Sequence, residues 1–147
     1  MAKLGRYSAN RIKIEEITAD KTVEVADCGT LFVVDPTDDT QLTLPSVAAA
    51  GKGWWIKVLV DEGDGGTVDK HVNIAVTDGT FFTGRIVCTD GGGHSEGNGS
   101  SHDFINIDEG AAQSGVMLEI ICTGTRYVAH GVAVDATDFA FGTAAIS

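Results

Sequence analysis

A hydrophobic period of two constrains this chain more than any other feature of it. In Trp54-Trp55-Ile56-Lys57-Val58-Leu59-Val60, an extended backbone sends Trp54, Ile56, Val58 and Val60 to one side and Trp55, Lys57 and Leu59 to the other. The first side is wholly apolar and belongs against a core. The second is mixed, which places Trp55 at a half-buried seam. Val116, Leu118, Ile120 and Cys122 repeat the pattern, and Glu119 marks the opposite side as partly wet. Residues 126–134 form a further extended run, interrupted by Gly131, in which Val128, His130, Val132 and Val134 share a face. Only residues 46–50 suit a helix, and then for a single turn that Gly51 and Gly53 would end.

Shorter runs at residues 12–17, 22–25, 31–34, 41–44, 72–76, 85–88 and 104–107 are rich in the Val, Ile, Thr and Phe that fit a pleated surface. Turn signals separate them: Asp27-Cys28-Gly29, Asp35-Pro36, Asp64-Gly65-Gly66, Asp78-Gly79 and Thr123-Gly124. The expectation is a single all-β domain over residues 12–147, an antiparallel β-sandwich or barrel of jelly-roll-like character. A short extended N-terminal arm, residues 1–11, precedes it. At 147 residues the chain can bury a core without staples. The arm holds Lys3, Arg6 and Arg11 with no acid, and Lys13 follows, whereas the body is strongly acidic. Such an arm suits docking on an acidic neighbour, either a sister subunit or another protein.

Charge narrows the function. Ten basic residues against 21 acidic ones give a net charge of -11, which opposes general nucleic-acid binding because phosphates need a basic face. No apolar run approaches the roughly 20 residues of a spanning helix, and no basic-then-apolar leader opens the chain, so neither a membrane nor export is expected. Cys28, Cys88 and Cys122 lack the paired spacing of a zinc site and read as small buried hydrophobes. The segment 90–102, rich in glycine and serine, reads as a surface loop. Within and beside it His94, Glu96, His102 and Asp103 are metal-competent types, but a glycine-rich loop would not enforce their convergence, so no metal and no cofactor are expected. His71 stands before a strand, and His130, inside one, reads as a half-buried, hydrogen-bonded histidine. There is no Gly-x-Ser-x-Gly elbow and no Gly-Lys-Ser or Gly-Lys-Thr phosphate loop. Asp61, Glu62, Asp64 and Asp69 lack calcium-loop spacing. An enzyme is not expected. Trp55, Phe81, Phe82 and Tyr127 are the aromatic platforms for a partner, and Phe81-Phe82, just after Asp78-Gly79, is expected to leave at least one ring exposed.

One stretch is more specific than composition. Ala26-Asp27-Cys28-Gly29-Thr30-Leu31-Phe32-Val33-Val34-Asp35 resembles a segment of small tailed-phage virion proteins. As in those proteins, a Thr-Leu-Pro (Thr43-Leu44-Pro45), a glycine (Gly51 or Gly53) and a strongly apolar strand from Trp54 follow. Thr123-Gly124-Thr125-Arg126-Tyr127-Val128-Ala129-His130-Gly131 is similar to the pattern that closes the same proteins, with Thr123 for the commoner aspartate and Tyr127 for the commoner tryptophan. The resemblance covers residues 20–60 and 115–134, and the family is the capsid decoration, or cement, proteins of tailed phages, with related head-fibre and tail-fibre modules. It implies an all-β module, usually oligomeric and by analogy a homotrimer. Such a module is made in the host cytoplasm, sits on the capsid exterior of the virion and bridges subunits of the major capsid protein without turnover. On that reading Lys3, Arg6, Arg11, Trp55, Phe81 and Phe82 are the expected contacts with capsid or sister subunit. The alternative is a head-fibre or tail-fibre module that binds a host cell-surface glycan.

Overall fold

The computed structural model describes residues 11–61, 68–77, 79–89, 94–109, 115–134 and 139–147. Among these, twelve strands run in chain order: β1 (Lys13–Ile17), β2 (Lys21–Thr22), β3 (Thr30–Val34), β4 (Thr40–Thr43), β5 (Trp55–Val60), β6 (Val72–Ala75), β7 (Phe82–Cys88), β8 (His94–Asn98), β9 (Phe104–Ile107), β10 (Val116–Cys122), β11 (Tyr127–Ala133) and β12 (Phe139–Gly142). They form a seven-stranded sheet, β1-β3-β5-β10-β11-β7-β8, and a five-stranded sheet, β12-β9-β6-β4-β2. The expected sandwich is therefore present, and its two sheets do not close into a barrel. No helix among the described residues is long and apolar enough to cross a membrane.

The sheets are mixed rather than antiparallel throughout. From β1 to β6 the chain changes sheet at every strand, so each strand lies parallel to the one two places earlier: β1 to β3, β3 to β5, β2 to β4 and β4 to β6. This is a flattened coil, not a series of hairpins. The later strands add antiparallel pairs, β10 with β5 and β11, β8 with β7, and β9 with β6 and β12, while β11 and β7 are again parallel. Alternation in a sequence tells which side chains face inward. It does not tell whether the next strand returns beside its predecessor or crosses to the opposite sheet.

The core fills the space between the sheets. Phe32, Val34, Ile56, Val58, Val60, Leu118 and Ile120 face Leu42, Ile74, Ile105, Ile107 and Phe139, and all are buried. A line of rings ties the sheets together. Trp54 packs edge-on against Tyr127 at 5.8 Å, Phe82 lies 6.3 Å from both Tyr127 and Phe141, and Phe141 stacks with His102. Phe82 is thus a core residue, with no exposed surface to offer a partner. It faces inward because its register partner in β11 is the equally buried Tyr127. The helical turn Val47–Ala50 forms as expected, capped where the Ser46 side chain accepts from the Ala49 amide at 3.2 Å and ended by Gly51.

Three local expectations are corrected. Cys28 is exposed, whereas Cys88 and Cys122 are buried. The expected loop contains strand β8, which pairs with β7 in spite of its polar sequence; residues 90–93 lie outside the described residues. Glycine has a packing role there, since a Cβ on Gly97 would come within 2.9 Å of the Phe141 ring. His130 is exposed, because the core side of β11 is Tyr127, Ala129 and Ala133. Val128 and Val132 consequently point away from the core.

Asp27 anchors the turn where Cys28 and Gly29 follow. Its carboxylate accepts from the Glu24 amide at 2.9 Å and from Lys13 Nζ at 2.9 Å, with Lys21 Nζ 3.8 Å away. Burial pushes this carboxyl up, but the Glu24 amide and the two lysines together hold it below its ordinary value. A depressed carboxyl stabilises the fold above its unfolded value and loses that contribution as pH falls through the folded one. Asp27→Asn is expected to cost about 1 kcal/mol at pH 7. Urea unfolding should show the gap from wild type shrinking below about pH 4. A gap that stays constant between neutral and acid pH would refute the assignment.

Candidate interaction face

The two outer faces of the sandwich differ. On the five-stranded sheet, Asn73 and Asn106 alternate with buried Val72, Ile74, Ile105 and Ile107 and so turn outward. There they hold the C-terminal tail. Asn73 Nδ2 donates to the Ile146 carbonyl at 3.0 Å, the Ile146 amide donates to Asn73 Oδ1 at 3.1 Å, and Asn106 Nδ2 donates to the Ala144 carbonyl at 3.0 Å. The tail covers the middle of that face, over β6 and β9.

The seven-stranded sheet presents a different surface. Following the register across it, Val33 pairs with Leu59, Leu59 with Met117, Met117 with Val132 and Val132 with Val87. These five side chains form one apolar row. At an inter-strand spacing of about 4.8 Å, the four gaps between them span roughly 19 Å. Met117, Val132 and Val87 are respectively 49%, 54% and 49% exposed, which is unusual for large apolar side chains placed side by side.

Two residues along each strand lies a second row: Leu31, Lys57, Glu119, His130, Arg85 and Glu96. Its charges are largely paired on the spot. Lys57 Nζ lies 3.3 Å from Glu119, Arg85 is ion-paired with Glu96, and His94 Nε2 approaches Glu96 at 3.3 Å. The Arg85 guanidinium beside Glu96 holds that carboxyl below its ordinary value. A third row holds Trp55, Ile121, Val128, Thr83 and Asn98. A groove of about 550 Å³ runs across both rows and past the first, lined by Lys57, Met117, Glu119, His130, Val132 and, beyond them, Gly115 and Val134. An apolar strip beside a row of internally neutralised charges is chemically suited to a protein surface of matching polarity, and the paired charges limit sliding along it.

The sequence-predicted residues fall variously on this geometry. Trp55 is half-buried, as its mixed strand face implied, with Gly29 under one edge and Lys57 Nζ 6.0 Å from the ring. It flanks the face in the third row. Phe81 is half-buried just before β7, and Phe82 is in the core. Arg11 is exposed just before the edge strand β1, and Lys3 and Arg6 lie outside the described residues. His94 and Glu96 pair on the outer face, while His102 stacks on Phe141 and its Nδ1 accepts from the Asn98 amide, so the metal-competent residues of that window serve separate ends. Met117, Val132 and Val87 were not singled out from sequence. The available signal was that the outer faces of β10 and β11 carry Met117, Ile121, Val128 and Val132 around Glu119 and His130, more apolar surface than a half-solvated sheet requires. No family model matches the chain, and no curated protein matches it.

Proposed function

We propose that this protein is a structural component of a phage particle that binds the outside of the capsid and bridges neighbouring capsid subunits. The observation that carries the reading is the apolar row Val33-Leu59-Met117-Val132-Val87 on one outer face, exposed at Met117, Val132 and Val87, while the C-terminal tail covers the middle of the other. The resemblance supports it from a different side, because residues 20–60 and 115–134 supply β3, β5, β10 and β11, the four strands that carry most of that row. The mechanism is noncovalent adhesion. The apolar row supplies burial, the paired charges supply register, and Trp55 and Phe81 lie at the margin. Lys3, Arg6 and Arg11 add a cationic strap toward an acidic lattice. Assembly as a homotrimer multiplies modest contacts by effective concentration. A glycan-binding reading has less to stand on, since Phe82 and Tyr127 are fully buried and cannot serve as sugar platforms.

The test is co-sedimentation with shells assembled from the major capsid protein of the same particle. Wild type is expected to pellet with the shells. The double variant Met117→Asp, Val132→Asp is expected to bind at least about tenfold more weakly with unchanged circular dichroism, since both side chains are solvent-facing. Equal retention of the two proteins, or no retention of wild type, would reject the proposal.

A further inference from the structure

The geometry points to a binding site for a divalent transition-metal ion of the zinc class, formed by Asp39, His71 and Glu109 with Asp108 behind the ring. It is independent of the capsid reading. β4, β6 and β9 are neighbours in the five-stranded sheet, and their register aligns Thr40, Val72 and Ile107. One residue beyond that line, at the same end of the sheet, stand Asp39, His71 and Asp108, and Glu109 follows. Three segments far apart in sequence are thus brought together by the sheet itself, which is a rigid mount for ligands.

His71 is 8% exposed, the buried member of an otherwise solvent-facing group. Its amide donates to Asp39 Oδ1 at 3.1 Å, which fixes the aspartate beside it. One ligand atom from each of Asp39, His71 and Glu109 lies within 4.8 Å of the others. Donors about 2.0–2.2 Å from a tetrahedral zinc stand roughly 3.3 Å apart, so the two exposed carboxylates need only a small closing movement toward a ring that stays still.

The ring itself supplies the second observation. His71 Nδ1 faces two groups that ask opposite things of it. The Glu109 amide, at 3.2 Å, needs a lone pair there, and Asp108 Oδ1, at 3.1 Å, needs a proton there. Nε2 lies 3.8 Å from Glu109 Oε1, longer than a hydrogen bond. A cation at Nε2 decides between the two groups at Nδ1 in favour of Asp108, at the expense of the Glu109 amide contact. The neutral ring then carries its one proton on Nδ1, donated to Asp108, and Nε2 offers its lone pair to the metal together with Glu109 and Asp39. A carboxylate behind a ligating imidazole is the usual means of fixing its tautomer and raising its basicity. One nitrogen with two carboxylate oxygens favours zinc or a neighbouring transition ion over calcium or magnesium, which prefer oxygen alone. The bound ion would pin the turns around β4, β6 and β9 and so close one end of the sheet.

The experiment uses the full chain, freed of metal with a chelator and titrated with zinc chloride, read by calorimetry and thermal unfolding. Wild type is expected to bind one equivalent, and its melting temperature is expected to rise by about 5–11 °C at a hundredfold excess over the dissociation constant. His71→Gln should abolish the one-equivalent event. Should that buried substitution fail to fold, Glu109→Gln, at an exposed position, should weaken binding at least about tenfold. A proton-decoupled nitrogen spectrum should show the His71 Nε2 resonance shifting with zinc. Absence of saturable binding by wild type up to about 1 mM zinc overturns the proposal. So does an isotherm unchanged in a folded His71→Gln or Glu109→Gln protein, which would assign the ion elsewhere, for instance to the exposed Cys28 thiol.

Discussion

Replacing Tyr127 with alanine is expected to destabilise the protein by about 3–5 kcal/mol, and at roughly 2–4 °C per kcal/mol for a chain of this size the thermal midpoint should fall by about 6–20 °C. The ring is fully buried, between Trp54 at 5.8 Å and Phe82 at 6.3 Å. Its hydroxyl donates to the Pro45 carbonyl at 2.8 Å, just past β4, so this one residue of the larger sheet grips the chain where it leaves the smaller one. Alanine would open a cavity at that joint and strand the carbonyl. Phenylalanine separates the two contributions: it keeps the ring and removes the hydrogen bond, and should cost about 1 kcal/mol. Burial, with a smaller effect from nearby Cys122, pushes the Tyr127 phenol far above its ordinary value. A raised value means that this contribution is whole below the unfolded value near 10 and is lost as pH rises beyond it. Wild type should therefore lose stability more steeply than Tyr127→Phe above about pH 10. Urea unfolding of the three proteins at pH 7 and pH 11 checks both statements, and a cost below about 1 kcal/mol for Tyr127→Ala would show that the joint does not bear on stability.

The second large effect is expected at Gly84. This residue pairs with Ala129 where β7 and β11 run parallel, and its φ of 133° is one that side chains rarely tolerate. A Cβ there would sit 1.9 Å from the Ala129 carbonyl oxygen and 2.9 Å from its nitrogen, both backbone atoms with nowhere to go. Gly84→Ala must push the two strands apart. A loss of about 4 kcal/mol is expected, and Gly84→Val should fail to accumulate as folded protein. Gly79 is the control. Its φ is also positive, at 67°, but nothing lies within 4 Å of its absent Cβ, so Gly79→Ala should cost only about 1 kcal/mol. Comparable losses at the two sites would mean that dihedral strain alone, not the close approach of strands, sets the requirement at Gly84.

The sequence carried the inward residues of the run 54–60 and of β10 in full: Trp54, Ile56, Val58, Val60, Val116, Leu118, Ile120 and Cys122 are all buried. It failed at β11 for a definite reason. The inward residues Ala129 and Ala133 are small and Gly131 has no side chain, because a Cβ on Gly131 would come within 2.2 Å of Leu118, whereas the larger Val128 and Val132 point out. Ranking the two sides of that strand by hydrophobicity therefore inverts it. The choice between Phe81 and Phe82 likewise depends on the partner of β7, which no local pattern records. β8 was hidden because Gly97 fits beneath Phe141, a residue of a strand paired in the other sheet. The apolar row and the Asp39-His71-Glu109 group share this property. Each is assembled across strands that the period of two assigns to faces but not to neighbours.

The grip of Asn73 and Asn106 on the tail has a practical corollary. Because those amides hold residues 144 and 146 against the smaller sheet, polypeptide continued past Ser147 would emerge on the side opposite Met117 and Val132. Cargo fused at that end would project away from the face that carries Met117 and Val132.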